Sequence, residues 1–553
     1  MLLMSTFASY RQQPPRGERY DAIVIGSGIG GLSAAALLAK HAGKRVLVLE
    51  RHYTAGGFTH VFHRPGYEWD VGVHYIGEVH NPASTVRRIF DHVTEGRLEW
   101  NRMPDVYDRM LIGGRSYDFV SGRRRFAERM KEYFPSEAGA IDRYMELVAE
   151  ATRATSLFFA EKAIPPLAAR LAGGLLRARF LRLARRTTAE VLGELTDNRE
   201  LIAVLTGQWG DYGLPPGESS FGIHALIAAH YFEGASYPLG GATSIAKAIA
   251  PLIEDQGGQI LVSAEVAEIL VDGANRACGV RMANGSEIRA DIVISDAGAS
   301  NTFSSLLQEQ SRERTHVLEE INAIQASMAH LCLYVGLRRA PGNPPLDGTN
   351  LWIFPGNDHD GNVRRFSENP EAPFPVLFIS FPSAKDPEFE QRHPGRETIE
   401  VVTLARQEWF RAFEGTRWHH RGPDYDALKR RFAERMRAEL EQHVPAVRGR
   451  IEHCELSTPL STRHFANYQH GEIYGLNASP ARFEARCLQP RTHVQNLFLT
   501  GQDAAVAGVT GALAGGVLAA SAILGRNLMG AIAREKPRDR REPASGRPLA
   551  RAS

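Results

Sequence analysis

The chain has 553 residues, of which 43% are hydrophobic and 23% are charged, a composition typical of a globular protein with more than one domain. Its 65 basic and 63 acidic residues give a net charge of +2, which argues against a general nucleic-acid-binding protein. The 4 cysteines are far apart and form no CxxC pair. The sequence therefore predicts neither a zinc site nor a disulfide framework, and it indicates reduced thiols in a cytoplasmic protein.

The two ends of the chain differ from its middle. Residues 1–18 lack an apolar run long enough for a signal peptide, and we expect a flexible leader there. Residues 534–553 are charged and contain prolines, which predicts a disordered tail. Residues 504–524 carry no charge and are long enough for a membrane span, but 12 of them are Gly or Ala. Because such small side chains bury little apolar area, we predict a buried helix that packs closely on a neighbour.

A nucleotide-binding unit opens the folded part of the chain. Residues 21–25, DAIVI, predict a buried parallel strand, and the following GSGIGG has the G-x-G-x-x-G spacing that lets a backbone approach a pyrophosphate. The amides that begin the next helix would bind the phosphates. A second strand, KRVLVLE, ends at an acid 19 residues past the last glycine, where a carboxylate accepts hydrogen bonds from a ribose. The predicted cofactor-binding residues of this unit are Gly26, Ser27, Gly28, Gly30, Gly31 and Glu50.

Two further features favour FAD over NAD. A second glycine pair follows the acid and allows the chain to run close to an extended dinucleotide. Near the C-terminus, a strand over 494–500 leads to the small-residue helix, whose first amides would stabilise negative charge on a reduced flavin. These features add Arg51, Gly56, Gly57, Gly501, Asp503, Gly508, Val509 and Thr510 to the predicted cofactor-binding residues.

The chain resembles the FAD-dependent phytoene desaturase superfamily, and within it the carotenoid isomerase and retinol saturase branch. The resemblance runs from residue 20 to beyond 500 and is carried by YDAIVIGSGIGGL, VLVLERHYTAGG, DVGVHYIG, GDYGLPP, HALIAAHYFEGASYPLGG, GEIYGLNASPARF and LFLTGQD. It implies an α/β fold in which a discontinuous Rossmann-type FAD-binding domain is interleaved with a mixed α+β substrate domain, as in amine oxidases and phytoene desaturases.

The resemblance also implies a division of the chain and three cofactor contacts. The FAD-binding domain would comprise 19–100, 236–300 and 485–533, and the substrate domain 101–235 and 301–484. The backbone of Val266 would contact the adenine, Glu50 would hold its ribose, and Asp503 would contact the pyrophosphate and ribityl arm.

The activity implied is that of an FAD-dependent oxidoreductase acting on CH–CH groups of a hydrophobic carotenoid or retinoid-like polyene. Saturation, desaturation and redox-neutral isomerisation need the same scaffold, and the sequence does not choose among them. The electron partner also stays open between a quinone, NAD(P)H and a redox protein. Two other interpretations are an amine-oxidase-type flavoenzyme and a non-catalytic escort of isoprenoid groups with the same fold.

Histidine and tyrosine side chains are the candidates for proton transfer. His74 and Tyr75, in DVGVHYIG, follow the dinucleotide loops and are the preferred candidates. A histidine in an apolar run is often a core residue, and no spacing of histidines and acids predicts a metal site. The weaker candidates are His224, His230, Tyr231 and Tyr237.

One segment suggests a membrane surface as a partner. Residues 166–186 contain six arginines and no acid, with Leu171, Leu175, Phe180 and Leu183 spread among them. A basic amphipathic helix on anionic lipid has this pattern, and so does a solvated surface helix or a helix that docks a protein partner. The sequence thus predicts a cytoplasmic protein, with peripheral membrane association as one interpretation of this segment.

Overall fold

The structure is a computed structural model that describes residues 7–536 except residues 73, 165, 340, 341, 343 and 344. Within these residues, no helix combines the length and the apolar character needed to cross a membrane. The predicted disordered tail lies outside the described residues from residue 537 onward.

The first sheet, which we call the nucleotide sheet, contains eight strands of the described residues. Parallel pairing joins six of them, and the other two add an antiparallel ribbon at one side. The order across the sheet is Ala8–Ser9, Gln259–Val262, Val46–Leu49, Arg19–Ile25, Glu287–Ser295, Ala277–Met282 and Val266–Val271, and Leu497–Leu499 also pairs with Glu287–Ser295. Its central strands are buried on both faces, which explains their continuous apolar sequence.

Parallel register brings the carboxyl ends of four strands to one edge of this sheet. Ile25 pairs with both Leu49 and Ser295, and Ser295 also pairs with Leu499. The residues that follow these strands are Gly26, Glu50, Asp296 and Thr500. Since ligands of open parallel sheets bind beyond the carboxyl ends of the strands, the fold itself places the candidate site at this edge.

Two helices pack tightly together over the nucleotide sheet. They are the first helix, Ile29–Ala42, and the C-terminal helix, Val509–Leu524, and both contribute to one apolar core with the sheet. A Cβ atom built on Gly516 would lie 2.5 Å from the carbonyl oxygen of Gly30 and 3.0 Å from the amide nitrogen of Ala34. The two backbones therefore approach as closely as glycine allows, which is the role predicted for the small residues of 504–524.

The leader is ordered where the structure describes it. Ala8–Ser9 forms a short strand that pairs in parallel with Leu261 and Val262, and Phe7 is buried in the core beneath it. Residues 7–9 therefore extend the nucleotide sheet, in contrast to the flexible leader expected for 1–18. The sequence offered no sign of this because a two-residue edge strand has no periodicity to detect.

The second sheet contains seven described strands and lies on the other side of the candidate site. Val106–Ile112 pairs in parallel with Asn350–Phe354, so widely separated parts of the chain share this sheet. The predicted division into FAD-binding and substrate domains stays a prediction. The order across the second sheet is Ile451–Ser457, Ala329–Arg338, Arg396–Ala405, Leu377–Ser380, Asn350–Phe354, Val106–Ile112 and Arg115–Val120.

Small β elements connect the two sheets. The hairpin of Val61–Arg64 and Tyr67–Asp70 is tied to the second sheet by the indole of Trp69, which donates a hydrogen bond to the carbonyl oxygen of Val335 at 3.1 Å. A three-stranded sheet is formed by Ile76–Gly77, Ala235–Pro238 and Trp100–Arg102. The other helices of eight or more residues are Thr85–Thr94, Arg123–Tyr133, Ala138–Ala163, Pro166–Ala184, Phe221–Tyr231, Thr243–Glu254, Arg312–Ile324, His359–Glu368, Pro423–His443 and Pro459–Ala466.

The close contact of the two glycine-bearing helices yields a stability prediction. We expect Gly516→Ala to lower the stability of the apo-protein by about 2 kcal/mol, because the added methyl group overpacks the contact. Gly174→Ala is the matched control, since nothing lies within 4 Å of a Cβ atom there and alanine favours the helix by about 1 kcal/mol. The measurement is the thermal midpoint of both variants, and equal midpoints would contradict the prediction.

Candidate active site

A cavity of about 690 Å³ lies between the carboxyl edge of the nucleotide sheet and the second sheet. One end is lined by the glycine-rich segments, and the other by aromatic side chains. The predicted residues that line it are Gly26, Gly28, Gly30, Glu50, Arg51, Gly56, Gly57, His74, Tyr75, Val266, Gly501, Asp503, Gly508, Val509 and Thr510. Residues from both ends of the chain therefore meet in one cavity.

Three glycine-containing segments converge at the first end. Gly28 forms a parallel bridge with Gly56, and a Cβ atom on Gly57 would lie 2.9 Å from the Cα atom of Gly28. A Cβ atom on Gly30 would lie 2.5 Å from the Cα atom of Gly501. The absence of side chains at these positions is what lets the three segments line a common cradle.

Ser27 and Gly31 do not line the cavity. The hydroxyl of Ser27 donates to Oε2 of Glu50 at 2.6 Å, and its backbone N–H donates to the same oxygen at 2.9 Å. A Cβ atom on Gly31 would lie 2.5 Å from the carbonyl oxygen of Gly26, so glycine is needed there for the helix to pack on the strand. Both residues therefore support the conformation of the glycine-rich loop without lining the cavity.

The two predicted acids are held by backbone amides. Oε1 of Glu50 accepts a hydrogen bond from the N–H of His52 at 2.7 Å, which fixes the carboxylate at the cavity wall. Asp503 accepts hydrogen bonds from the N–H groups of Ala299 at 2.8 Å and Leu476 at 3.2 Å, and the guanidinium of Arg482 lies 3.6 Å away. Asp503 therefore binds together the C-terminal segment and two loops of the site.

The C-terminal helix begins at the cavity wall. Gly508 precedes it with φ of 89°, a conformation that favours glycine, and no side chain caps the helix. The first amides of the helix, from Val509 onward, therefore have no carbonyl partner within the helix. Their partial positive charge faces the cavity and favours an anion or an electron-rich ring there.

Asp296 is a site residue that the sequence analysis missed. Its carboxyl group lies inside the glycine cradle, where a Cβ atom on Gly30 would be 2.8 Å from Oδ1 and one on Gly31 would be 3.0 Å from Oδ2. Burial raises the pKa of Asp296 to about 8, and the carboxylates of Glu50 and Asp503 add to this effect. The signal was present in the sequence, since Asp296 directly follows a buried strand of the same sheet.

His74 faces protein groups as well as the cavity. Its Nε2 lies 2.6 Å from the carbonyl oxygen of Phe58, and its Nδ1 lies 3.6 Å from Oδ2 of Asp70. His74, Tyr237 and the amide of Ala242 hold the pKa of Asp70 below its usual range despite burial, which alone would raise it. Both ring nitrogens of His74 therefore lie next to protein groups, Nε2 beside Phe58 and Nδ1 beside Asp70.

Tyr75 points into a buried group of acids. Its hydroxyl lies 3.1 Å from Oδ2 of Asp211 and 3.2 Å from Oδ2 of Asp108. The tyrosine ring stacks on Tyr231 with 4.6 Å between centroids, and Tyr231 donates to the carbonyl oxygen of Tyr75 at 3.1 Å. Both tyrosines and Asp211 line the aromatic end of the cavity.

The remaining candidates divide by position. His230 lines the cavity and accepts a hydrogen bond from the N–H of Gly77 at 2.8 Å. His224 lies outside the cavity wall, between the hydroxyl groups of Tyr144 and Tyr212. Tyr237 is also outside the wall and donates to Asp70. Two of the weaker candidates, His230 and Tyr231, are thus brought to the site.

Comparisons with known proteins agree with this geometry. A family model described as flavin containing amine oxidoreductase matches residues 29–524. The chain belongs to this family. It is 39% identical to a Danio rerio protein named all-trans-retinol 13,14-reductase, over 92% of this chain and 87% of the relative. It is 27% identical to a protein named prolycopene isomerase 2 from an Oncidium hybrid cultivar, over 81% of this chain and 74% of the relative.

Among solved structures, wild-type putrescine oxidase bound to putrescine is similar with a TM-score of 0.59. The identity is 16%, over 92% of this chain and 99% of that chain, so this likeness bears on the fold alone. The predicted amine-oxidase-like FAD-binding fold is confirmed.

FAD, the cofactor of this flavin-containing family member, fits the residues present. Gly28, Gly56 and Gly57 let their segments pack together at the cavity wall, since a Cβ atom at each would collide with protein atoms, and Glu50 stands at the wall where a ribose acceptor is needed. The uncapped start of the C-terminal helix supplies partial positive charge at the same cavity. The individual cofactor contacts remain predictions.

The sequence analysis predicted no metal site. Among the described residues, His63, Glu68 and His393 place possible ligand atoms within 4.8 Å of one another. However, the guanidinium of Arg392 lies 3.1 Å from Glu68, and the positive charge of Lys247 acts on His63. Because these cations oppose a metal ion, we assign none to the group.

The buried carboxyl of Asp296 predicts that FAD affinity depends on pH. Because the pKa of Asp296 is raised from 3.8 to about 8, its contribution to stability is fully present below about pH 4 and is lost as the pH rises from there through about 8. Its ionisation would also repel a diphosphate held by the same loop. We expect FAD binding to the wild type, measured by flavin fluorescence, to weaken from pH 7 to 9. The affinity of the Asp296→Asn variant for FAD should change little over this range. The same pH dependence in the variant would contradict this role for Asp296.

Proposed function

We propose that this chain reduces a carbon–carbon double bond of a hydrophobic, retinoid-like polyene. The similarity to the Danio rerio protein named all-trans-retinol 13,14-reductase, along nearly the whole chain, is the observation that carries the proposal. The aromatic end of the cavity supports it, because an apolar polyene needs an apolar wall. Bound FAD supplies the two-electron chemistry for which the side chains of this protein have no equivalent.

The protein residues would orient the polyene and exclude water. Tyr75 and Tyr231 form a stacked pair in the cavity wall, and Phe58 and Tyr468 form a second stacked pair in the same wall, with 5.9 Å between centroids. A side cavity of about 50 Å³ shares Asp211 with the main cavity and is walled by apolar side chains. Flat aromatic surfaces suit a conjugated chain. A wall that excludes water favours transfer of the hydride to a carbon atom of the polyene over its loss to solvent.

The test of this proposal is anaerobic turnover with reduced enzyme and a panel of retinoids and carotenoids that includes all-trans-retinol. We expect a product heavier by two hydrogen atoms, with reoxidation of the flavin measured in the same sample. The control is oxidised enzyme, which should leave the substrate mass unchanged. A product of equal mass would favour isomerisation, a lighter one would favour desaturation, and oxidation of amines alone would overturn the polyene assignment.

We further propose that the helical hairpin of Ala138–Ala163 and Pro166–Ala184 rests on a lipid surface. Leu171 and Leu175 are 82% and 83% exposed, and the neighbouring Leu157 is 48% exposed. The hairpin packs against the C-terminal helix that lines the cavity, and Lys162 donates to the carbonyl oxygen of Ala504, which precedes that helix, at 2.9 Å. An exposed apolar patch beside the cavity suits uptake of a membrane-dissolved substrate.

The arginines of 166–186 contribute less than the sequence suggested. Arg177 is buried and donates to the carbonyl oxygen of Phe483. Arg182, Arg185 and Arg186 form ion pairs with glutamates of the same chain. Phe180 and Leu183, predicted for the lipid face, are buried in the core. Exposed leucines, more than free positive charge, therefore carry the proposed association.

This difference gives a sharp test by co-sedimentation with phosphatidylcholine vesicles. We expect the wild type to bind and the Leu171→Ser/Leu175→Ser variant to bind at least about tenfold more weakly, because each exposed leucine would lose about 1.5–3 kcal/mol of apolar burial. Arg179→Ser changes an exposed residue of the same helix and is the control, which should bind vesicles like the wild type. Binding that depends on salt and on Arg179 but not on the leucines would overturn the proposal.

A further inference from the structure

Asp211 lies at the junction of the main cavity and the side cavity. It ends the short helical turn Trp209–Asp211, which is clamped on two sides. A Cβ atom on Gly210 would lie 2.6 Å from the indole of Trp352, and the hydroxyl of Tyr474 donates to the carbonyl oxygen of Gly210 at 3.1 Å. The backbone that carries Asp211 is therefore fixed, and its carboxyl group has a defined position in the wall.

The carboxyl group of Asp211 has one free oxygen. Among the described residues, the Tyr75 hydroxyl is the one group that forms a hydrogen bond with this carboxyl, through Oδ2 at 3.1 Å. Oδ1 has no such partner, and the half-buried residue lines both cavities. A proton on Oδ1 is thus available to a molecule in the cavity.

Asp108 makes ionisation of Asp211 costly. The two carboxyl groups share the Tyr75 hydroxyl, and Asp108 also accepts hydrogen bonds from Gln208 and Asn350, each at 2.8 Å. The ammonium of Lys385 donates to Asn350 and adds positive charge beside Asp108. Two carboxylates so close do not both ionise readily, and Asp108, which has more hydrogen-bond donors and the nearby charge of Lys385, takes the charge. Burial and the charge on Asp108 raise the pKa of Asp211 well above its usual range.

Several other titratable groups of the cavity are less suited to give a proton to a polyene. Glu455 accepts hydrogen bonds from Arg64 through both oxygens, and this pairing outweighs burial and lowers the pKa of Glu455. Burial lowers the pKa of His52 to about 4, of His60 to about 3 and of His330 to about 4, so these rings are neutral near pH 7. A neutral imidazole is a much weaker acid than a carboxylic acid. Asp296 is buried as well, but it lies in the glycine cradle at the opposite end of the cavity.

We propose that Asp211 is the proton donor in reduction of the polyene double bond, and that Tyr75 is its positioning residue. This assignment rests on the proposed function. The hydride for one alkene carbon would come from two-electron-reduced FAD, which would be left oxidised. The O–H bond at Oδ1 of Asp211 breaks, a C–H bond forms at the neighbouring carbon, and the double bond becomes a single bond. Asp211 is left as a carboxylate, and a proton from solvent restores it before the next cycle.

The test compares Asp211→Asn with wild type on a polyene that the wild type reduces. We expect FAD content, flavin reduction by dithionite and polyene binding to be retained, while turnover falls at least about 100-fold, the usual contribution of a general acid. Asp105→Asn is the matched control, because this exposed aspartate pairs with Arg125 outside the cavity. It should retain wild-type turnover.

The pH profile separates proton donation from a structural role. Wild-type turnover should fall on the alkaline side as Asp211 ionises, and Tyr75→Phe should move this fall to higher pH, because the tyrosine hydrogen bond stabilises the carboxylate. The titratable groups that face Asp211 are Tyr75, Asp108, Tyr107, Tyr212, Tyr231 and Tyr474, and the tyrosines have their pKa raised by burial.

The outcomes are distinct. Active wild type with an equally active Asp211→Asn variant overturns the assignment of Asp211 alone. A Tyr75→Phe variant whose pH profile is identical to that of the wild type overturns the positioning role of Tyr75. A wild type that reduces no polyene in the panel overturns the proposed function, and the assignment falls with it.

Discussion

The close approach of the C-terminal segment to the glycine-rich loop is the contact on which the site depends. Gly501 lies against Gly30, and Gly516 lies against the first helix, so residues nearly 500 positions apart form one wall. Neither contact tolerates a side chain without displacement. Because the loop, the acid Glu50 and the start of the C-terminal helix are all held by this packing, the cofactor cradle exists only in the fully assembled fold.

Electrostatics divide the cavity that results into two unlike ends. The glycine end presents helix amides together with the buried acids Glu50, Asp296 and Asp503. The aromatic end presents the carboxyl group of Asp211 among tyrosines. In a low-dielectric setting, the hydrogen bonds that a carboxyl group accepts largely determine its role. Asp503 accepts two from backbone N–H groups and holds segments of the site together, whereas Asp211 accepts one from a tyrosine and is suited to donate a proton.

The residues that line the glycine end could be found from local sequence, because they lie in continuous motifs. Gly26 to Glu50 forms one strand–loop–helix–strand unit, and 13 of the 15 predicted cofactor residues line the cavity. The aromatic end could not be predicted this way. Asp211 acquires its character from Asp108 and Lys385, which are more than 100 residues away and meet it only through the second sheet. The ion pairs of the arginine-rich helix could not be predicted for the same reason, since its partners Glu150 and Glu484 lie outside the segment.

The location of the chemistry follows from this division. Putrescine oxidase shares the fold at 16% identity, and a fold alone does not determine the reaction. Selection must come from residues that face the cavity from the second sheet and from the loops that precede it, such as the turn that carries Asp211. A cradle built from backbone and glycine offers few side chains that could discriminate between substrates, whereas the proposed proton donor Asp211 would act on the substrate directly. We therefore expect the choice of reaction to depend on the aromatic end of the cavity, where the contacting residues are farthest apart in the sequence.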